Sequence, residues 1–271
     1  MYNPTLEKIK RLVPFKLAKK LRGGYQKLNG LFYKGSEYFC PNCDHYFRKF
    51  LKCGENIPHL DHLQIVGGGI RKQCLCPRCF SKDRERLIYL YLRDKTELFY
   101  TPSKLLHIAP RGSLKDIFKD NRFIEYFPGD KFEKGYYYSK DVIKLDARKL
   151  DYDDNFFDVI ICIHVMEHIK EDKLALKELY RVLKPGGFAI LQVPISLKLE
   201  ETYEIEVNSD KERIQHFGQY DHHRVYARDF KNKLEEAGFN VRLFNPTDDD
   251  WKIDYLRYGL NPIEDLYVSF K

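Results

Sequence analysis

Two short apolar runs, residues 157–163 and 188–193, bracket a stretch with helical spacing, and no other feature of this chain restricts its fold as much. Both runs are rich in Ile and Val and bounded by turn residues, the pattern of strands buried on both faces of a parallel sheet. Between them Leu176, Leu179, Tyr180 and Leu183 recur at the period of a helix, which Lys184-Pro185-Gly186-Gly187 should end. Strand, helix and strand then form a right-handed crossover unit of an open α/β sheet. Ligands of such sheets collect at the carboxyl ends of the strands. Here those ends carry Asp146-Ala147 and His164-Val165-Met166-Glu167-His168.

With 271 residues and 43% hydrophobic content, the chain can bury one substantial core plus a small accessory module. No apolar run approaches a membrane span, and the N-terminus lacks the apolar region of a secretory signal. Residues 1–30 hold eight Lys or Arg against Glu7 alone, a surplus equal to the whole net charge of +7. A basic arm (residues 1–37) on a neutral body is the result. In it Ile9, Leu12, Val13, Phe15, Leu17 and Leu21 interleave with lysines, and Pro14 should split residues 6–21 into two short helices. The arm is a candidate for peripheral contact with an anionic membrane surface through residues 1–30. The preferred reading is plainer: the apolar stripe packs on the body and the lysines are solvated. A neutral body argues against a nucleic-acid partner, since such binding leaves a basic footprint.

Six of the seven cysteines fall between Cys40 and Cys79, which points to metal rather than a disulfide framework and to a reducing, cytoplasmic setting. Cys40-Pro41-Asn42-Cys43 and Cys76-Pro77-Arg78-Cys79 are two knuckles whose paired thiolates suit one tetrahedral zinc ion. Cys40, Cys43, Cys76 and Cys79 are the ligands of choice; Cys53 and Cys74 are spare, and either is able to replace a knuckle cysteine. Four thiolates leave no open position, so the metal is structural, in a module spanning residues 38–80. Gly67-Gly68-Gly69 reads as a flexible turn, and Arg84 and Arg86 as a solvated helix face.

The Asp-Ala pair, FDVIICIHVMEHI and LYRVLKPGGFAILQVP, in this order and spacing, resemble the second half of a class I S-adenosylmethionine-dependent methyltransferase. The resemblance covers roughly residues 100–271. It implies a Rossmann-like, seven-stranded, mostly parallel sheet over residues 81–271, beside a zinc-ribbon-like module. CPRCFSKDRERLIYLYL, the LHIAP turn and the F-G-Q-x-D-H-x-R-x-Y string are similar to zinc-knuckle methyltransferases often encoded among cell-surface polysaccharide genes.

What the resemblance implies for the site starts at the first strand, residues 105–109. The usual acidic residue and G-x-G turn are replaced by His107-Ile108-Ala109-Pro110-Arg111-Gly112. His107, Ala109, Pro110 and Gly112 are nevertheless the candidates for the cofactor's amino-acid end. Asp130, closing a second strand over 123–127, suits a ribose diol. Asp146 suits the adenine amino group, with Ala147 beside it, after a third strand over 142–145. His164, at the end of the fourth strand, should stand where donor and acceptor meet. The segment 196–229 reads as a substrate-side insertion. Within it Asp221 with His222 is the favoured proton-accepting unit, and Arg224, Tyr226 and His216 are candidates for holding substrate.

The expected function is methyl transfer from S-adenosylmethionine to an oxygen of a small or glycan-type acceptor, such as a nucleotide- or lipid-linked sugar. The expected location is cytoplasmic, with peripheral contact at the inner membrane face as a candidate. Two other readings stand beside it. One is an RNA methyltransferase of the kind that also carries a four-ligand zinc site; the other is a zinc-bearing binding module whose altered first-strand turn no longer takes the cofactor.

Overall fold

The computed structural model of the chain describes residues 15–132 and 138–271. Residues 1–14, with the first part of the basic arm, and Gly135-Tyr136-Tyr137 of a tyrosine tract lie outside them. Directly after Pro14 in sequence, helix α1 (Phe15–Phe32) begins and runs well past the point where the apolar interleaving fades. It rests on the body through Gly30, where an added Cβ would come within 3.1 Å of the Arg78 side chain, and through the edge contact of Tyr25 with Phe80. Its apolar stripe points the other way: Leu21, Leu28, Leu31 and Phe32 are all exposed. Of the stripe read from the sequence, Ile9, Leu12 and Val13 lie outside the described residues, and Leu17 and Leu21 are exposed.

Strands β1 (Lys34–Cys40) and β2 (His45–Phe47) form a hairpin around the first knuckle, and β3 (Leu51–Cys53) pairs with β5 (Arg71–Leu75), which leads into the second. Cys53 and Cys74 are joined across β3 and β5 as a disulfide, with Cα atoms 5.7 Å apart. Neither spare cysteine replaces a knuckle ligand, and the purely reduced thiol set expected from the clustering is not found. Between these strands β4 (Ile65–Val66) leaves the module and pairs with β11 (Ile195–Ser196) of the insertion.

Helix α2 (Asp83–Lys95) joins the module to the main sheet, and its arginines are not solvated. Arg86 is fully buried and donates to the carbonyls of Ser81, Cys74, Tyr258 and Gly259 at 2.7–2.9 Å. A buried guanidinium with that many acceptors is a pin between two parts of the chain.

The main sheet contains β6 (Ser103–Ile108), β7 (Ile124–Asp130), β8 (Ile143–Lys144), β9 (Phe157–Ile163), β10 (Leu183–Gln192), β12 (Asn240–Phe244) and β13 (Leu266–Phe270). Their spatial order is β12-β13-β10-β9-β6-β7-β8, with β13 alone antiparallel to its neighbours. Alternation along β9 feeds two cores. Ile160 and Cys162 join Leu106 and Leu191 under α4 (Asp172–Val182), while Val159 and Ile161 join Leu105 and Ile190 under α2 and α3 (Gly112–Asp120). The helices α5 (Asp210–Phe217) and α6 (Phe230–Glu236) complete the chain. Helix α4 stops at Val182, and Leu183 already pairs with Phe157 before a register shift resumes at Phe188. The Lys-Pro-Gly-Gly turn is thus a bulge within β10. Glycine is required there because a Cβ on Gly187 would sit 2.7 Å from the Asp158 carbonyl.

Candidate active site

Sheet order reverses direction between β6 and β9, the point at which open α/β sheets bind ligands. A cleft of about 1110 Å³ opens there, lined from both strand tips. Both tips are backbone outliers: Ala109 has φ +50° and His164 has φ +53°, a region L-residues rarely enter outside functional turns.

One half of the cleft is lined by carboxylates. Asp130 closes β7, is buried, and lies on the cleft wall, with Oδ1 accepting from the Phe132 amide at 3.3 Å. Asp146 and Ala147 also line it; Asp146 is exposed, and hydrogen bonds from Arg148 at 2.7–3.1 Å hold its carboxyl below the usual range. These residues fit a nucleoside, with one carboxylate for a ribose diol and one for an amino group, as their positions in the sequence suggest. His107 and Ala109 reach the wall as well. The His107 ring, however, turns to Tyr126 with Nδ1 2.9 Å from its hydroxyl, and burial pushes its pKa down to about 3, so it is neutral at pH 7.

Pro110 and Gly112 do not line the cleft, although Arg111 between them does. Gly112 lacks a side chain for another reason: a Cβ would lie 2.2 Å from a Glu85 carboxylate oxygen. Glu85, reaching over from α2, accepts from the Ser113 amide and hydroxyl at 3.2 and 3.3 Å. Burial raises its pKa. It supplies a carboxylate at the first-strand turn where the sequence itself has none, and nothing in the local motif announces it.

The other half is lined by histidines. Arg84, buried on α2, donates to Nε2 of His164, so His164 carries its proton on Nδ1 and presents it to Glu167 Oε1 at 3.3 Å. Burial, then the charge of Arg84, keeps His164 neutral. Gly67 packs on both, its carbonyl accepting from Arg84 at 3.0 Å and a Cβ there coming within 3.2 Å of the His164 ring. The glycine tract is therefore a wall of the cleft, not a loose turn. Asp221 does not pair with His222: its Oδ2 lies 3.0 Å from Nδ1 of His168, while Nδ1 of His222 lies 3.1 Å from the Phe217 carbonyl.

The three candidates for holding substrate all have protein partners, and of them only Arg224 lines the cleft. Arg224 is 1% exposed and fully occupied by Glu204, Asp172 and three backbone carbonyls. Tyr226 is buried with its hydroxyl on Asp172 at 2.7 Å, and His216 bonds Tyr203 at 3.0 Å; neither lines the cleft. Among the cleft residues, Glu85 is the one that reading by sequence passed over, while Glu167, His168 and Arg84 were noted without a role in the site. The alternating charges of Lys82-Asp83-Arg84-Glu85-Arg86 immediately after a knuckle were the available signal.

Outside the cleft lining, Sγ atoms of Cys40, Cys43, Cys76 and Cys79 all lie within 4.8 Å of one another, with Cys40 and Cys76 fully buried. Burial opposes charge on Cys40, yet hydrogen bonds from the other three thiols and the charge of Arg86 hold its thiol well below the ordinary range. Four thiols converging within that distance fit a tetrahedral zinc ion.

The family profile described as "Methyltransferase domain" matches residues 121–191. The chain is 27% identical over 111 residues to a ubiquinone/menaquinone biosynthesis C-methyltransferase of Idiomarina loihiensis, covering 36% of this chain and 44% of that one. It is 30% identical over 108 residues to a mitochondrial 2-methoxy-6-polyprenyl-1,4-benzoquinol methylase of Bos taurus, covering 35% and 33%. The chain thus spans less than half the length of these curated relatives. Among solved structures, an S-adenosylmethionine-dependent methyltransferase from Archaeoglobus fulgidus aligns with a TM-score of 0.43 at 18% identity, over 68% of this chain and 93% of that one. The segment that matches the methyltransferase-domain profile, residues 121–191, carries β7, β8 and β9 of the seven-stranded sheet and with them Asp130, Asp146 and His164 on the cleft wall.

Proposed function

We propose that the chain transfers the methyl group of S-adenosylmethionine to an oxygen of a small or glycan-type acceptor, a nucleotide- or lipid-linked sugar being the leading class. The observation that carries this reading is a single cleft whose carboxylate half meets a half lined by His164, Glu167, His168 and His222. When bound, S-adenosylmethionine supplies an electrophilic methyl group on sulfur. Asp130 holds the ribose, Asp146 the adenine amino group, and Glu85 the ammonium of the amino-acid end. Methylating a hydroxyl releases a proton, and the histidine half offers acceptors for it: the Phe217 carbonyl only accepts, so Nδ1 of His222 is protonated and Nε2 bears a lone pair.

Calorimetry with S-adenosylhomocysteine tests the cofactor half. Wild-type protein should bind, and Asp146→Ala should bind about ten- to a hundredfold more weakly, the worth of a hydrogen bond to a charged group. Absence of wild-type binding would favour the binding-module reading. A second reading, carbon methylation of a quinol, is favoured by the names of the relatives. Supplying labelled methyl donor with sugar acceptors, short-chain quinols and bulk RNA in parallel separates the readings by which one becomes labelled.

We propose, too, that the exposed stripe of α1 meets an anionic bilayer, because Leu21, Leu28, Leu31 and Phe32 face outward beside exposed Lys20 and Lys27. Among the described residues no helix is long and apolar enough to cross a membrane, so contact would be at its surface. Vesicles rich in phosphatidylglycerol should co-sediment the protein at low salt, and Leu21→Glu with Leu28→Glu should abolish this. Recovery of the wild type in the supernatant would end the idea.

A further inference from the structure

The histidine half of the cleft gathers more bare acceptor atoms than a proton transfer uses. Glu167, His168 and His222 each bring one ligand-capable atom to within 4.8 Å of the other two. Glu167 is 2% exposed and its Oε2 has no hydrogen-bond partner; Nε2 of His222, 8% exposed, has none either, nor does Oδ1 of Asp221. Buried acceptors that face one another repel and lack compensation unless something positive sits among them. Among the described residues no lysine or arginine donates to Oε2 of Glu167, Nε2 of His222 or Oδ1 of Asp221.

The rings are also held as ligands are held. A metal-binding imidazole commonly donates its outer N–H to a carboxylate or a backbone carbonyl, which fixes its tautomer and aims the other nitrogen. His168 has Asp221 in that place and His222 has the Phe217 carbonyl. Glu167 is steadied in the same way, with Oε1 facing Nδ1 of His164 and Oε2 left open. The two rings meet edge to face, their centroids 4.6 Å apart.

We infer that Glu167, His168 and His222 bind one divalent cation at the acceptor end of the cleft, with Asp221 and the Phe217 carbonyl as the groups that orient the two rings. A mixed imidazole and carboxylate set suits Mn²⁺, Fe²⁺, Co²⁺ or Zn²⁺ better than Ca²⁺. Three protein ligands leave positions open toward the cleft, where an acceptor hydroxyl would be held and acidified. In the transfer the sulfur–methyl bond breaks, the oxygen–methyl bond forms, and the hydroxyl proton leaves to solvent; His222 then ligates instead of taking that proton. This last role rests on the methyl-transfer reading, whereas cation binding does not.

Titrating Mn²⁺ into the full-length, zinc-loaded protein and following the free-Mn²⁺ electron paramagnetic resonance signal tests the site, because Mn²⁺ competes poorly for thiolates. One Mn²⁺ per chain should be taken up. Glu167→Gln and His222→Gln should each weaken it at least tenfold while circular dichroism stays unchanged, with His168→Asn substituted for either variant that fails to fold. Wild-type protein that takes up no Mn²⁺ at millimolar concentration, or folded variants that bind it as tightly as wild type, would overturn the inference. Mn²⁺ uptake without S-adenosylhomocysteine binding would instead remove the methyl-transfer reading and leave the cation site standing.

Discussion

Arg224→Ala should destabilise the fold by about 3–5 kcal/mol, the cost of leaving a buried charge network without its partner. The guanidinium donates to Glu204 at 2.8 and 2.9 Å, to the carbonyls of Met166, Ile169 and Lys170 at 3.2, 2.5 and 2.7 Å, and lies 3.6 Å from Asp172. It thereby ties the insertion to the short 3₁₀ turn Met166–His168 and to the start of α4. Truncation strands three carbonyls and Asp172, on which the Tyr226 hydroxyl also depends. Lysine should recover only part of the loss, since a point charge cannot match a planar set of donors. Urea unfolding of both variants gives the measurement. A normal midpoint with a raised KM for acceptor would return Arg224 to the substrate. Because the same turn carries Glu167 and His168, loss of the guanidinium should also lower turnover in whatever protein remains folded.

This residue shows where reading the chain by sequence stops. The strands were legible because their signal is local: β9 alternates between two cores, so every residue of it but Asp158 is apolar, and β10 resumes its pairing at Phe188, where the second apolar run begins. The carboxylates at strand ends were legible because position along a strand sets position in the cleft. The string from Phe217 to Tyr226 announced polar chemistry but not its distribution, because each side chain answers to a partner distant in sequence. Asp221 goes to His168, Arg224 to Glu204 and the turn after β9, and Tyr226 to Asp172. Arg84 and Arg86 look solvated on a charge pattern and are buried: Arg86 answers carbonyls left by the knuckle and residues 258–259, and Arg84 answers the Gly67 carbonyl and His164. Glu85 carries the same lesson, since a missing acid in one motif is supplied by a neighbouring helix that only the fold brings near.

We propose that Cys40, Cys43, Cys76 and Cys79 hold one structural zinc ion, and its removal should have a larger effect than any single side chain. The knuckles enclose little that is apolar: among the described residues Phe47 and Phe50 are the only buried aromatic side chains packed with Cys40 and Cys76. A cluster that small does not hold a fold alone, and metal binding by such thiolate sets contributes about 10–16 kcal/mol that is also folding energy. The spare pair does not dilute the site, because Cys53 and Cys74 bond each other across β3 and β5, leaving one thiolate set. Loss should spread along α2. Arg86 is anchored on Ser81 and Cys74 at one end and Gly259 at the other, and Arg84 and Glu85 on that helix line the cleft. Purified protein should therefore contain one tightly held zinc per chain, apart from any ion at the histidine cluster. Cys40→Ser or Cys76→Ser should release it, expose the amides of residues 34–79 to hydrogen exchange, and weaken S-adenosylhomocysteine by at least tenfold. Metal-free protein with an unchanged melting midpoint and unchanged ligand affinity would sink this account. An intermediate result, with the knuckles exchanging freely while ligand affinity holds, would place the break before Arg86 and show that α2 is secured by the main sheet alone.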